Sequence, residues 1–400
     1  MSVTGSQRQT FLRLAAALRT HWRGEPGFPR QVQQLLARER SFGSRDRRLY
    51  RELLYTVSRH LPWIEPLLQS DPERAADVTA WLAAEIPATI TYRAALGSAW
   101  PPCPDTVAGK AAHLQCSVAA LLPDWVQAEC PAVLADGEID ALHRRAPLWL
   151  RLQTDQPETV AAEFAQHGWT WRASGPLPTA WEMLTEADVT KTTAYAEGRF
   201  EIQDLGSQLI LESAGLSAAG HWLDACAGAG GKTLQLARLL GPDARVDAHD
   251  IRPAALAELG RRAERAGLGQ LRILTKPPTS SYDGVLVDAP CSGSGTWRRS
   301  PHLKWSTSPA TLARQAARQR TLLGQYARLV RLGGQLIYAT CSLARAENTG
   351  VVEQFLAENP HFVVQEPAAR FGCVWDGTGL LILPAQHDTD GFYVARLHRR

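Results

Sequence analysis

From about residue 205 onward, short apolar runs alternate with helical segments, and this alternation constrains the fold more than any other feature of the sequence. The strand-like runs fall at 222–223, 244–249, 285–287 and 335–339. A repeated strand–helix order predicts a parallel, doubly wound α/β sheet with helices on both faces. Ligands of such sheets bind beyond the carboxyl ends of the strands. The side chains that follow each strand are therefore the candidate functional residues.

Upstream of this alternation the sequence shows two other patterns of apolar and polar residues. The first part is helical in character, with Leu49, Leu53 and Val57 repeating at the spacing of one helix face. A second, shorter part mixes strand-like runs such as 147–152 with a polar helical stretch. A chain of 400 residues is also long for a single domain. We therefore expect three domains: a helical domain at 1–145, a small α+β segment at 146–204 and an α/β domain at 205–400.

Composition excludes several classes of protein. No stretch of eighteen uncharged apolar residues occurs, so we expect no membrane span. The arginine-rich start lacks the apolar core and cleavage site of a secretory signal. Seven cysteines without a C-x-x-C pair argue against both a disulfide framework and a zinc ribbon. These features predict a cytoplasmic protein without a structural metal.

Positive charge is concentrated in two places. Residues 1–60 hold 12 arginines against four acidic residues, and no Asp or Glu occurs between Asp288 and Glu347. Within that gap, Arg298, Arg299 and Lys304 alternate with aromatic side chains, a combination that single-stranded nucleic acid requires. We predict that these three residues bind RNA. For the N-terminal charge, a solvated surface in an arginine-rich protein is an equally simple interpretation.

A glycine-rich turn follows the strand at 222–223. A phosphate-binding P-loop would need a glycine at position 226, where this chain has cysteine. What remains is an acidic strand end, Asp224, before small residues that let a ligand approach the backbone. The next strand ends in Asp250, which can accept hydrogen bonds from two ribose hydroxyls. The candidate cofactor residues are Cys226, Ala227, Gly228, Ala229, Gly230, Gly231, Lys232, Asp250 and Asp288.

Two cysteines also follow strands. Cys291 lies in Asp288-Ala-Pro-Cys, after the strand at 285–287, and Cys341 follows the strand at 335–339. A single cysteine is usually a small buried hydrophobe. Two at strand ends, one beside an aspartate, favour nucleophilic chemistry instead. We expect neighbouring arginines and a helix N-terminus to lower their thiol pKa values.

These motifs resemble those of the Sun/Fmu-type RNA cytosine-C5 methyltransferases. The run from Asp288 to Trp305, the glycine turn, Thr340-Cys341-Ser342 and the closing 389–393 all match family patterns. The resemblance covers about 145–400 and implies a Rossmann-like methyltransferase sheet. Upstream, Arg45-Asp46-Arg47 is similar, more weakly, to the NusB-like RNA-binding domain of the family's bacterial ribosomal RNA members.

The resemblance implies a covalent mechanism. Cys341 would attack C6 of cytosine, Asp288 would hydrogen-bond the base edge near N3, and Cys291 would assist removal of the C5 proton. The methyl group would come from S-adenosyl-L-methionine. The glycine turn would hold the methionine part of this cofactor, and Asp250 its ribose. The target base must be exposed or flipped out of its stack.

The sequence also departs from the family. No acid occurs between Glu264 and Asp283, where members usually carry one that contacts adenine, and His302 replaces a frequent aspartate. Ribosomal RNA is the favoured substrate and transfer RNA the main alternative. A non-catalytic RNA-binding or ribosome assembly factor on the same fold is the competing function, and the presence of both cysteines argues against it.

Overall fold

The chain divides into two structural units. The structure is a computed structural model, and it describes residues 3–23, 27–97, 99–216 and 219–400. The helical unit comprises 1–145 together with 296–308, and the sheet unit comprises 146–295 and 309–400. The structure places 296–308 in the helical unit, although its sequence predicts it in the last domain, and it places the predicted separate segment 146–204 within the sheet unit.

Helices are numbered in chain order, leaving out short 3₁₀ turns. They are α1 (Val3–Ala17), α2 (Phe28–Arg38), α3 (Ser44–Arg59), α4 (Leu61–Ile64), α5 (Leu67–Ser70), α6 (Pro72–Leu82), α7 (Ile90–Gly97), α8 (Val107–Leu114), α9 (Val126–Glu129), α10 (Glu138–Leu142), α11 (Pro157–Gln166), α12 (Thr193–Ala196), α13 (Leu205–Ser213), α14 (Gly231–Leu240), α15 (Pro253–Arg265), α16 (His302–Ser306), α17 (Pro309–Ala327), α18 (Thr349–Glu358) and α19 (Pro384–His387). Helices α1–α10 and α16 belong to the helical unit.

Strands are numbered in the same way. They are β1 (Leu148–Leu152), β2 (Trp171–Ala173), β3 (Ala180–Met183), β4 (Phe200–Ile202), β5 (His221–Asp224), β6 (Arg245–His249), β7 (Leu271–Leu274), β8 (Tyr282–Asp288), β9 (Val330–Thr340), β10 (Phe362–Gln365), β11 (Val374–Trp375), β12 (Leu380–Ile382) and β13 (Phe392–Arg399). All of them lie in the sheet unit.

The helical unit is held together by apolar faces at helical spacing. Leu49, Leu53 and Val57 of α3 are almost completely buried, as their spacing predicts. They join one core cluster with side chains of α1, α2 and α6. Burying a leucine or valine contributes about 1.5–3 kcal/mol, so this cluster is the main source of stability for the unit. No helix among the described residues is both long and apolar enough to cross a membrane.

The main sheet of the sheet unit has a parallel centre. Its strand order is β11-β12-β13-β9-β8-β5-β6-β7, and β10 pairs beside β12 along β13. Strands β5 to β9 pair in parallel, whereas β13 runs antiparallel to β9. Helices such as α14 and α15 connect the parallel strands, as the alternation in the sequence predicts. This is the Rossmann-like sheet that the sequence predicts.

A second sheet lies near the start of the sheet unit. Its four antiparallel strands have the order β2-β3-β1-β4. Leu150, Val160, Phe164 and Phe200 form its core together with neighbouring aromatic rings. The small α+β segment expected at 146–204 is therefore present, with its own sheet and core.

Candidate active site

The site is built where four neighbouring parallel strands end. Strands β5, β6, β8 and β9 finish at Asp224, His249, Asp288 and Thr340. Because the carboxyl ends of parallel strands share one edge of the sheet, the residues after them converge. The glycine turn, Asp250 and both candidate cysteines follow these ends directly.

The glycine-rich turn joins β5 to α14. Gly228 and Gly230 have positive φ values of 55° and 91°, which residues with a side chain rarely adopt. A Cβ atom on Gly230 would also lie 2.2 Å from Cδ1 of Leu259. The turn leads directly into Gly231, the first residue of α14. A Cβ atom added to Gly231 would have no neighbouring atom within 4 Å. An open helix N-terminus of this kind offers free N–H groups to a ligand.

Asp250 holds the turn from the adjacent strand end. Its Oδ2 accepts a hydrogen bond from the backbone N–H of Gly228 at 2.9 Å. The backbone and guanidinium N–H groups of Arg252 donate to both carboxylate oxygens at 2.9 Å. These bonds, chiefly those from the Arg252 side chain, lower the pKa of Asp250 to about 2. Asp250 is therefore an anion poised beside the glycine turn.

Two further carboxyl groups line the same edge. The side chain of Asp224 is buried and accepts a hydrogen bond from the Thr233 hydroxyl at 2.7 Å. Burial raises its pKa to about 7, and the negative charge of Asp288 adds to the effect. Asp288 is partly exposed and pairs with Lys232, whose Nζ lies 2.9 Å from its Oδ2. Lys232 thus lies beside the carboxylate expected to contact the base.

The two cysteines meet at this edge. The Sγ atoms of Cys291 and Cys341 are 3.3 Å apart, a hydrogen-bond distance that is much longer than a disulfide bond. Both are free thiols and both are partly exposed. The hydrogen bond to Cys341 and burial raise the pKa of Cys291 well above its usual range. With its pKa raised, the Cys291 thiol stays protonated at neutral pH.

The raised pKa of Cys291 is opposite to the expectation from the sequence, in which neighbouring arginines and a helix N-terminus lower the thiol pKa values. Instead the strongest influence on Cys291 is the second thiol, and the next charge that acts on it is negative, from Glu347. Cys226, in the glycine turn, also has a raised pKa because of burial and the three nearby aspartates.

Glu347 is a residue of this site that sequence reasoning missed. Its buried carboxylate accepts hydrogen bonds from Ser292, Ser342 and Gln319. Ser292 follows Cys291 and Ser342 follows Cys341, so one carboxylate joins the two cysteine loops. The sequence signal was only its position at the end of the acid-free gap.

A glycine contact fixes the loop that carries Cys291. Gly295 donates its backbone N–H to the Cys341 carbonyl at 3.0 Å and accepts from the N–H of Gly391 at 2.7 Å. A Cβ on Gly295 would lie 2.0 Å from the carbonyl oxygen of Gly391. Gly391 therefore packs directly against the loop that carries Cys291, and Gly295 has no room for a side chain.

The structure corrects the predicted RNA contacts of Arg298 and Lys304. Both side chains are buried in the helical unit. Arg298 donates to the carbonyl of Arg145, and Lys304 donates to the carbonyl of Arg59 and lies 2.9 Å from Nε2 of His143. Buried cations with protein partners cannot also bind phosphates. Arg299 between them is exposed, and its predicted RNA contact stays a prediction.

The same segment explains the histidine at position 302. His302 is buried in the helical unit and stacks on Phe28, with ring centroids 5.5 Å apart. Burial lowers its pKa to about 4, so the ring is neutral. An aromatic side chain suits this position because it packs against another ring.

Much of the N-terminal positive charge is also paired. Arg8, Arg13 and Arg23 form ion pairs with Asp77, Glu39 and Glu65 in the helical unit. Arg59 is buried. The excess charge of residues 1–60 is therefore only partly available to a polyanion. No group of three or more His, Cys, Asp or Glu side chains suited to a metal ion occurs among the described residues.

Comparison with known proteins identifies the family. Residues 215–398 match the family described as 16S rRNA methyltransferase RsmB/F. The chain belongs to the RsmB/F methyltransferase family. It is 33% identical over 298 residues to a probable ribosomal RNA small subunit methyltransferase B from Synechocystis sp., an alignment that covers 69% of this chain and 66% of that protein. The chain spans about half to two thirds of the length of the first curated relatives that it matches.

Solved structures support the fold. The structure of PH0851 aligns over the whole of both chains, with a TM-score of 0.72 and 21% identity. That of NSun6 from Pyrococcus horikoshii has a TM-score of 0.62 and 18% identity, and the alignment covers 69% of this chain and 98% of that one. These similarities confirm the Rossmann-like fold expected from the sequence. The NusB-like character of the N-terminal helices stays a prediction.

Proposed function

We propose that this protein is an S-adenosylmethionine-dependent RNA cytosine-C5 methyltransferase that acts on small-subunit ribosomal RNA. The observation that carries the proposal is the pair of thiols, 3.3 Å apart, at the carboxyl edge of the parallel sheet. One of them, Cys291, lies in the same motif as Asp288. Methyl transfer to an oxygen or an exocyclic nitrogen needs no covalent nucleophile. Cytosine C5 does need one, because it is a weak nucleophile until a thiolate adds to C6.

The acidic edge fits the proposed cofactor. S-adenosylmethionine carries a sulfonium and an ammonium group, and Asp224, Asp250 and Asp288 provide carboxylate acceptors around the glycine turn. The bare backbone at Gly231 leaves space for its carboxylate near the N-terminus of α14. Residues 226–232 and Asp250 would hold S-adenosylmethionine. When bound, this cofactor would supply the methyl group that C5 accepts.

The thiol pair divides the chemistry between two residues. Cys341, which accepts the hydrogen bond of Cys291, is the thiolate that bonds to C6 and pushes the C5–C6 electron pair toward C5. Once its sulfur is a thioether, Cys341 no longer raises the pKa of Cys291, and Cys291, which is partly exposed, can release its proton to solvent water. The Cys291 thiolate then takes the C5 proton, the C5–H electrons restore the double bond, and Cys341 leaves as a thiolate. Asp288, held by Lys232, would bind the base edge near N3.

Two substitutions test this division of roles. Cys341→Ala should abolish methyl transfer, because no thiolate remains to activate C5. Cys291→Ala should instead accumulate a covalent protein–RNA adduct, because the C5 proton is no longer removed. The measurement is incubation of each variant with S-adenosylmethionine and 16S ribosomal RNA transcript, followed by denaturing gel electrophoresis and bisulfite sequencing. A Cys291→Ala enzyme that turns over normally would overturn the assignment.

Substrate choice needs a separate measurement. Ribosomal RNA is favoured because the curated relative from Synechocystis is named for the small subunit. Bisulfite sequencing of total RNA from a deletion strain would locate the lost 5-methylcytosine. Loss from transfer RNA would support the alternative substrate. No loss, together with no binding of S-adenosylmethionine by calorimetry, would support a non-catalytic assembly factor.

A further inference from the structure

We propose that Glu347 is a positioning residue that holds the two cysteine loops in register and keeps the shared proton of the thiol pair on Cys291. This inference rests on the proposed function, since it assigns Glu347 a part in preparing Cys341 for attack. Glu347 has no exposed surface, so it touches neither solvent nor a substrate directly. Its effect on the reaction must pass through the residues that it binds.

Four donors converge on the Glu347 carboxylate. Oε1 accepts from the backbone N–H of Ser292 at 2.8 Å and from Nε2 of Gln319 at 3.0 Å. Oε2 accepts from the hydroxyls of Ser292 and Ser342 at 2.5 and 2.6 Å. A carboxylate whose four acceptor positions all face donors is the ionised form. Two of these donors belong to the residue after one catalytic thiol, and a third belongs to the residue after the other.

Counting protons fixes the direction of the serine bonds. The Ser294 hydroxyl lies 2.9 Å from the Ser342 hydroxyl and accepts from the backbone N–H of Leu343. Since Ser342 gives its only proton to Glu347, Ser294 must donate to Ser342. The Cys291 and Cys341 loops are thus tied by a chain of hydrogen bonds that ends on one carboxylate. Such buried networks hold their members in a single arrangement when every member is satisfied.

Glu347 also brings a negative charge near the thiols. Among the described residues, the carboxylate of Glu347 has Ser292, Ser342 and Gln319 as its partners, and none of these side chains is charged. An uncompensated anion opposes ionisation of the nearest thiol, and its effect is strong where water is excluded. Glu347 accepts two hydrogen bonds from Ser292, which follows Cys291, and one from Ser342, which follows Cys341. After the hydrogen bond to Cys341 and burial, the negative charge of Glu347 also raises the pKa of Cys291. The carboxylate therefore biases the pair toward a Cys341 thiolate hydrogen-bonded by Cys291.

The test compares Glu347→Gln with Glu353→Gln. Glutamine keeps the shape of Glu347 but removes its charge and an acceptor, and the matched change at exposed Glu353 of α18 removes a charge from the surface. Each full-length protein is treated with iodoacetamide at a series of pH values, and alkylation of Cys291 and Cys341 is followed by peptide mass spectrometry. In wild type and Glu353→Gln we expect Cys341 to react at lower pH. In Glu347→Gln the ratio of the two rates should fall by about tenfold.

Three outcomes are informative. An unchanged ratio, or an equal acceleration of both thiols, would mean that Glu347 is only structural and would overturn the inference. If Glu347→Gln does not fold, Glu347→Asp keeps the charge and should retain the preference for Cys341, while Ser342→Ala should weaken it. Equal alkylation rates of the two thiols in wild type would also overturn the inference.

Methyl transfer gives an independent readout. In Glu347→Gln we expect kcat to fall by about 10–100-fold, with KM for S-adenosylmethionine within twofold of wild type, because no binding group is lost. A change confined to KM would overturn the positioning role. Alkylation does not require RNA. If wild type shows the thiol preference but methylates no RNA, the proposed function fails and the role of Glu347 in the thiol pair stands.

Discussion

At this edge of the sheet, the carboxylate of Asp250 already accepts hydrogen bonds from several protein groups. A carboxylate has about four acceptor positions. Here the N–H of Gly228 and three N–H groups of Arg252 occupy them. The Arg252 side chain is largely exposed, so its guanidinium is the easiest of these donors to displace. Ribose hydroxyls would have to compete with it for Asp250.

Removing this competitor should strengthen cofactor binding. In Arg252→Ala we expect the Kd for S-adenosylmethionine to fall by about fivefold, roughly 1 kcal/mol, because two acceptor positions become free. Isothermal titration calorimetry of the full-length protein measures it. Arg261→Ala, on the exposed face of α15, is the control and should leave the Kd unchanged. Weaker binding in Arg252→Ala would mean that Arg252 itself contacts the cofactor.

Residue-level reasoning from the sequence found the residues of the proposed active site but missed Glu347. Cys291, Cys341 and Asp288 follow strands, and the position of a residue after a strand can be read from apolar patterning. Glu347 follows no strand and is separated from Ser292, its partner beside Cys291, by 55 residues along the chain. Its role depends on a distance in space, which no local pattern encodes.

At the scale of elements, α17 has two different sides. Gln319 is buried and donates to the carbonyl of Pro290, next to Cys291, at 2.9 Å. Arg314 and Arg318 are exposed, and the helix carries no acidic residue. The helix therefore anchors the catalytic loop on one side and presents positive charge on another. With Arg298 and Lys304 buried, these arginines are the better candidates in the acid-free gap for contacts with RNA phosphates.

Charge reversal on α17 tests this surface. Arg314→Glu/Arg318→Glu should weaken RNA binding at least tenfold and reduce the slope of log K against log salt concentration by about 2, one for each phosphate that is no longer neutralised. Filter binding of a 16S ribosomal RNA fragment at several salt concentrations gives both quantities. The control, Arg261→Glu/Arg370→Glu, changes the net charge equally at other exposed positions. Equal losses of affinity in both variants would indicate a non-specific charge effect.

At the scale of the whole molecule, the helical unit is completed by a distant piece of chain. Residues 296–308 begin five residues after Cys291 and belong to that unit. Their cation Lys304 lies beside His143, and the charges of Arg59, Lys110 and Lys304 act on buried His60. Burial, followed by these charges, holds the pKa values of both histidines well below the usual range.

This arrangement predicts acid sensitivity of the helical unit. Unfolded histidines take up protons near pH 6.5, whereas the folded ones stay neutral. Stability is therefore highest above pH 6.5 and falls as the pH decreases toward 5, by up to about 1.4 kcal/mol per pH unit for each histidine. His143→Gln keeps an acceptor for Lys304 and should reduce the slope.

Hydrogen exchange of peptides from α9 and α10 in the full-length protein, between pH 5 and 7.5, measures the local stability after correction for intrinsic exchange rates. The control is His113→Gln, which changes a histidine on the exposed side of α8. A slope in His143→Gln equal to that of wild type would show that His143 does not titrate as proposed.

The sequence by itself determined the class of fold, the family and the candidate residues at the strand ends. Periodicity of apolar residues specifies strands and helices locally, and the chemistry of a parallel sheet follows its strand ends. Only the tertiary structure decided which charged side chains are exposed and which are buried with protein partners. Arg298 and Lys304 look like RNA ligands in the sequence, yet they are buried among carbonyls of the helical unit. Burial and pairing depend on residues far away in the chain, and so does the selection of Glu347 as the carboxylate that joins the two thiol loops.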